Sequence, residues 1–146
     1  MAEAVQFEFE KLVVYQEARE FRKRVYRLAK LLPRFEYKLA AQMRDAARSL
    51  TNCIAEGHGR YTFKDRTHFC RESRGSLCEL VDDVYLCDDK KYAKHEHLED
   101  LRMDASNLLR RMNGFIKYLT TEGQKQARQK KGLREVPQPQ LPITNY

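Results

Sequence analysis

The chain has 146 residues, and its 28 lysines and arginines outnumber 21 acids to leave a net charge of +7. One domain of that size buries about two-thirds of its unfolded surface, so no metal or disulfide is needed for folding. No apolar run reaches membrane-spanning length, and the start lacks the basic and apolar stretches of a secretion signal, so a cytoplasmic protein without a membrane partner is expected. Cys53, Cys70, Cys78 and Cys87 form no close pair, and three of them sit among apolar neighbours, as reduced core-filling thiols do.

The charge is uneven along the chain. Residues 1–10 form an acidic segment carrying −3, whereas residues 11–32 carry +5 and residues 120–146 carry +3. Sign asymmetry of this kind points to a polyanion partner, a solubilising surface being the alternative.

Four segments within residues 11–120 then carry a helical period. In the first, Val14, Ala18, Phe21, Val25, Leu28 and Leu32 recur at steps of four and three, which lays one apolar seam along a helix. Pro33 ends it, because proline lacks the amide hydrogen and disfavours helical geometry at Leu32. The second seam is Leu39, Met43, Ala46, Leu50, Cys53 and Ile54, with Gly57 expected as a left-handed C-terminal cap. Thr62, followed three residues on by Asp65, is a natural start for a third helix bearing Phe69, Ser73, Ser76, Leu77, Leu80, Val84 and Cys87. The fourth seam is Leu98, Leu101, Ala105, Leu108, Met112, Phe115 and Leu119. Short connections favour antiparallel neighbours, so the expected fold is an all-α, up-down-up-down four-helix bundle. Residues 121–146 are basic and proline-rich, with five bases between Lys125 and Arg134, and are expected to form a disordered arm.

The junctions between the helices carry a resemblance. Asn52-Cys53-Ile54-Ala55-Glu56-Gly57-His58-Gly59-Arg60 is similar to the N-x-I-A-E-G-x-G-R motif of the four-helix-bundle family of 23S ribosomal RNA intervening-sequence proteins. Lys11-Leu12-Val13-Val14-Tyr15-Gln16-Glu17-Ala18 resembles that family's opening helix, residues 39–47 its second, and Arg74-Gly75-Ser76-Leu77-Cys78-Glu79-Leu80 its R-G-S-L-x-E-L stretch. One departure stands at Thr51, before the motif, where the family usually has proline; a straighter second helix is expected. The resemblance implies a homo-oligomeric ring, typically a pentamer, and no enzymatic activity. It extends to the accessory protein of diversity-generating retroelements, which binds nucleic acid and a reverse transcriptase.

At 100° per residue, Arg19, Lys23, Arg27 and Lys30 lie opposite the first seam, in a stripe about 16 Å long that can follow a phosphate backbone. Arg48, Arg60, Arg110 and Lys117, with Lys125, Arg128, Lys130 and Lys131 of the arm, complete the candidate nucleic-acid contacts, RNA being the expected ligand and DNA an alternative. Tyr15, Arg22 and Tyr26 share one flank of the first helix and are candidates for a subunit interface, stacking on unpaired bases being the alternative. Glu56 is placed to pair with Arg74.

Signals for catalysis and cofactors are weak. Gly57-His58-Gly59-Arg60 follows a helix and lacks the downstream lysine of a phosphate loop. His95 and His97 point about 200° apart on a helix, His68 and Cys70 share that defect, and no Glu-x-x-His pairs exist for a di-iron site. A non-catalytic protein with no cofactor and no metal is therefore expected, acting as a nucleic-acid-binding accessory or, alternatively, as an adaptor that docks an acidic partner or polymerase.

Overall fold

The computed structural model describes residues 2–135. Four helices account for most of them: α1 (Val13–Leu31), α2 (Tyr37–His58), α3 (Phe63–Asp89) and α4 (His95–Glu135). Short 3-10 turns at Glu8–Lys11 and Arg34–Glu36 precede α1 and α2. The all-α expectation and the four seams are met.

Most positions of each seam are buried where the period puts them. Val14, Ala18, Phe21, Val25 and Leu28 of α1 meet Met43, Ala46, Leu50 and Ile54 of α2, Leu77, Leu80, Val84 and Cys87 of α3, and Leu98, Leu101, Ala105, Leu108 and Met112 of α4 in one cluster. Each fully buried leucine or isoleucine contributes roughly 2–3 kcal/mol of transfer free energy. Leu32, Leu39, Cys53, Phe69, Ser76 and Phe115 are only half-buried, and Ile116 takes the inward position next to Phe115. A smaller cluster of Cys70, Ile116 and Leu119, flanked by Phe63, closes one end.

Local chemistry sets the helix ends. The Thr62 side chain accepts the Asp65 amide at 3.1 Å, the N-cap that the sequence suggests. At the far end of α3, Lys91 adopts φ 57°, with the amides of Tyr92 and Lys91 donating to the carbonyls of Cys87 and Asp88. That paired pattern is the Schellman stop, here with lysine where glycine is usual.

Gly57 departs from expectation. No glycine among the described residues has positive φ, and α2 runs through Gly57 to His58. A Cβ added at Gly57 would lie 2.8 Å from Phe69 Cβ, so the residue is small because α2 and α3 approach closely there, not because it caps α2. Membership of Gly57 and His58 in α2 also removes the phosphate-loop geometry. Thr51 does what the sequence suggested: α2 is uninterrupted, and the buried Thr51 hydroxyl donates to the Arg48 carbonyl and accepts from Arg22.

The arm is also corrected. Helix α4 continues to Glu135, well past Leu119, so residues 121–135 are helical; residues 136–146 of the expected disordered tail lie outside the described residues. The reason lies in intrinsic preference. Residues 124–131 are glutamine, lysine, arginine and alanine, all good helix formers, on a helix already nucleated by the packed segment before them.

Candidate nucleic-acid interface

The outer faces of α1 and α4 are both basic. On α1 the apolar seam fixes the roll of the helix, which leaves Arg19, Lys23 and Lys30 pointing outward and exposed. Arg27 is exposed too but turns toward α4, lining an opening of about 170 Å³ with Leu28, Leu31 and His97. Lys23 is paired with Glu20 at 2.8 Å. That bond holds the Glu20 carboxyl below its ordinary pKa, and Arg19 and Arg27 lower it further. One carboxylate therefore sits within a row of four cations. Among the described residues no acid pairs with Arg19, Arg27 or Lys30.

Arg110 and Lys117, seven residues apart, occupy one outward face of α4, which Gln124, Arg128 and Lys131 continue. This row spans about 32 Å from Arg110 to Lys131 at 1.5 Å per residue. Lys125 is held by Glu122 at 3.3 Å, while Arg110, Lys117, Arg128, Lys130 and Lys131 form no ion pair with another residue of the stretch 2–134.

The remaining candidates are dispersed. Arg48 is exposed on α2. Arg60 is engaged at the α2–α3 junction, bound to Glu56 at 2.7 Å and lying over the Phe69 ring at 4.8 Å. The expected Glu56–Arg74 pair is therefore replaced: Glu56 takes Arg60, four residues on and just past the end of α2, and Arg74 donates to Asn113 of α4 at 2.9 Å. That bond places Arg74 on the side of α3 that faces α4.

The flank Tyr15, Arg22 and Tyr26 is half-buried within the chain. Arg22 donates to Thr51 at 2.9 Å, Tyr15 meets Phe9 edge-on at 4.9 Å, and Tyr15 and Tyr26 pack against the core. The acidic N-terminal segment lies close by, with Gln6 and Glu10 lining an opening shared with Tyr15, Arg19 and Arg22.

Several titratable groups have shifted acidities. Burial pushes the thiols of Cys70 and Cys87 up to about 11, which leaves them protonated and poor as nucleophiles. Burial beside Glu79 and Asp82 raises the Asp83 carboxyl to about 6, and its Oδ2 has no hydrogen-bond partner. His95 is raised by its hydrogen bond to Asp88. Asp88, His95 and Glu99 bring one ligand atom each within 4.8 Å of one another, a grouping of α3 with α4 in which His97 has no part. No helix among the described residues is long and apolar enough to cross a membrane.

Sequence reasoning missed one group of residues, at the start of α3. Lys64 and Arg71 of α3 stand across an open groove from the continuation of α4. Their signal was present in the seven-residue spacing, yet the partner wall did not exist while residues 121–135 counted as a disordered arm.

Comparison with known proteins places the chain. Curated proteins give no significant match. The family model described as 23S rRNA-intervening sequence protein matches residues 10–114, which takes in α1, α2, α3 and the first half of α4, including the whole N-x-I-A-E-G-x-G-R stretch. With that match covering most of its length, the chain belongs to the 23S rRNA-intervening sequence protein family.

Proposed function

We propose that this protein is a non-catalytic accessory factor that binds nucleic acid, RNA foremost, through the phosphate backbone, working as a homo-oligomeric ring. The observation that carries the reading is the pair of exposed basic rows, Arg19–Lys23–Arg27–Lys30 on α1 and Arg110–Lys117–Arg128–Lys131 on α4, in which only Lys23 meets a carboxylate within residues 2–134. The family's name, with its ribosomal RNA context, supports RNA as the ligand. Cations held on rigid helices at spacings of one to three turns contact phosphates without reading bases, so binding is insensitive to sequence. A reverse transcriptase is the enzyme such a factor would assist, and the Tyr15–Arg22–Tyr26 flank would contribute its exposed edges to the ring.

Filter binding of RNA tests the reading. Affinity falls at least about a hundredfold between about 50 and about 200 mM salt, because each neutralised phosphate releases counterion. Replacing Arg19, Lys23, Arg27 and Lys30 by glutamate abolishes retention while leaving the melting curve unchanged, since all four are exposed. A flat salt response, or undiminished binding by that variant, overturns the reading. Light scattering of the purified protein reads the ring, and a monomer would remove it.

A further inference from the structure

The groove between the start of α3 and the far half of α4 has a chemistry of its own. It is open, about 490 Å³ in volume, and within the range of ligand-binding clefts. Its floor is apolar: the half-buried Phe63 ring and buried Leu119, with the exposed methyl of Ala127 above them. Gly123 makes the floor possible, since a Cβ added there would lie 3.2 Å from Phe63 Cβ, tighter than ordinary contact. The threonine hydroxyls at its edge are already used, Thr67 donating to the Phe63 carbonyl at 2.7 Å and Thr120 to the Ile116 carbonyl at 2.9 Å.

The rim is cationic. Lys64 and Arg71 stand on the α3 side and Lys130 on the α4 side, all exposed, and none of the residues lining the groove is acidic. A flat apolar floor ringed by cations suits a ligand that is planar and apolar in its centre and anionic at its periphery. We infer that this groove takes a single-stranded nucleic-acid segment, an unpaired base entering above Phe63 and Ala127 while its flanking phosphates rest on Lys64, Arg71 and Lys130. Aromatic floors between basic walls hold single strands in this way, stacking being indifferent to base identity. A duplex keeps its bases stacked inside and presents phosphate alone, so it meets the outer rows of α1 and α4 but leaves the groove empty. The inference rests on the nucleic-acid reading above and adds to it the strand state and the place.

The test uses the full chain with a fluorescein-labelled single-stranded RNA about 12 nucleotides long and the matching duplex, by anisotropy across a salt series. The triple variant Lys64→Ala, Arg71→Ala, Lys130→Ala lowers the slope of log K against log salt for the single strand by about 2, three phosphate contacts being lost. Ala127→Ile fills the groove without altering charge and weakens the single strand about tenfold, with duplex affinity unchanged. All four positions are exposed, so unchanged melting curves are expected and serve as the folding control. An unaltered single-strand slope in the triple variant overturns the groove site while the wild type still binds RNA, as does equal weakening of duplex and single strand by Ala127→Ile. Loss of all RNA binding in the wild type at low salt is a different result, which removes the nucleic-acid reading and this site with it. Capture of an acidic peptide by a wild-type protein that ignores the single strand overturns the site in favour of a protein partner.

Discussion

The α2–α3 contact and the α1–α4 contact are made by different physics. Between α2 and α3 the helices touch through small residues: Gly57 against Phe69, and Ser49 against Ser76 at 3.0 Å. Ser73, wholly buried, donates to the Leu50 carbonyl at 2.5 Å. Between α1 and α4 the contact is looser, with openings of about 400, 410 and 170 Å³ along it, and is bridged by the ion pairs Arg24–Asp104 and Glu17–Arg111. Packing holds the first seam and salt-sensitive electrostatics hold the polar edge of the second. The difference teaches that a bundle can be rigid along one seam and adjustable along another while all four helices share one core.

Four measurements would break or sharpen that contrast. The largest effect is expected at Gly57→Ala. The new Cβ meets a Cβ fixed to the α3 backbone, which cannot swing aside, so chemical denaturation should register a loss of about 2–3 kcal/mol. A near-neutral result would mean that α2 and α3 separate easily and that the contrast is false. Ser73→Ala comes next, at about 1 kcal/mol by the same assay, because one buried hydrogen bond is lost while the helix still satisfies the Leu50 carbonyl.

Asp83 tests the closed seam at its weak point. Seven residues beyond Ser76, it shares the side of α3 that faces α2, and its inner oxygen is unpartnered. An acid whose folded pKa is raised, here to about 6, binds its proton more tightly when folded than when unfolded. Stability therefore declines as pH rises from the ordinary carboxylate range to about 6 and is level above that. Asp83→Asn removes the penalty, so thermal melts should gain about 1 kcal/mol at neutral pH, after allowing for solvent screening of a half-exposed group, and nothing at acid pH. A gain that persists at acid pH would assign the effect to something other than ionisation. The smallest effect belongs to the loose seam. A double-mutant cycle on Arg24 and Asp104 should give about 0.5 kcal/mol of coupling, vanishing at high salt, as expected of partly exposed charges. Coupling above about 1 kcal/mol would place that seam on the same footing as the other.

Much of the fold was legible because periodicity is a local property. The seams of Val14 to Leu28 and of Leu98 to Leu119 repeat in the chain as they do in space, and Thr62 caps α3 through an amide three residues away. The candidate site was legible only in part. Exposure of Arg19, Lys23, Arg27 and Lys30 follows from the α1 seam, but the Glu20 carboxylate in their midst and the engagement of Arg60 depend on rotamers that spacing does not specify. Arg74 illustrates the same limit. Its distance from Glu56 along the chain carries no information about which neighbouring helix it faces.

Two decisions remained for the tertiary structure. Gly57 reads as a stop in one dimension, since glycine ends helices, yet the presence of Phe69 on the next helix makes it a contact point inside α2. Residues 121–135 read as a polar extension with too few apolar groups to fold alone, yet they inherit the helix that Ile116 and Leu119 anchor against Cys70. Amphipathic period, proline and caps act between near neighbours, so the amino-acid order by itself determined four helices and their inward faces. Which faces meet, how closely, and where a groove is left between them depend on groups far apart in the chain, and only their packing against one another decided that.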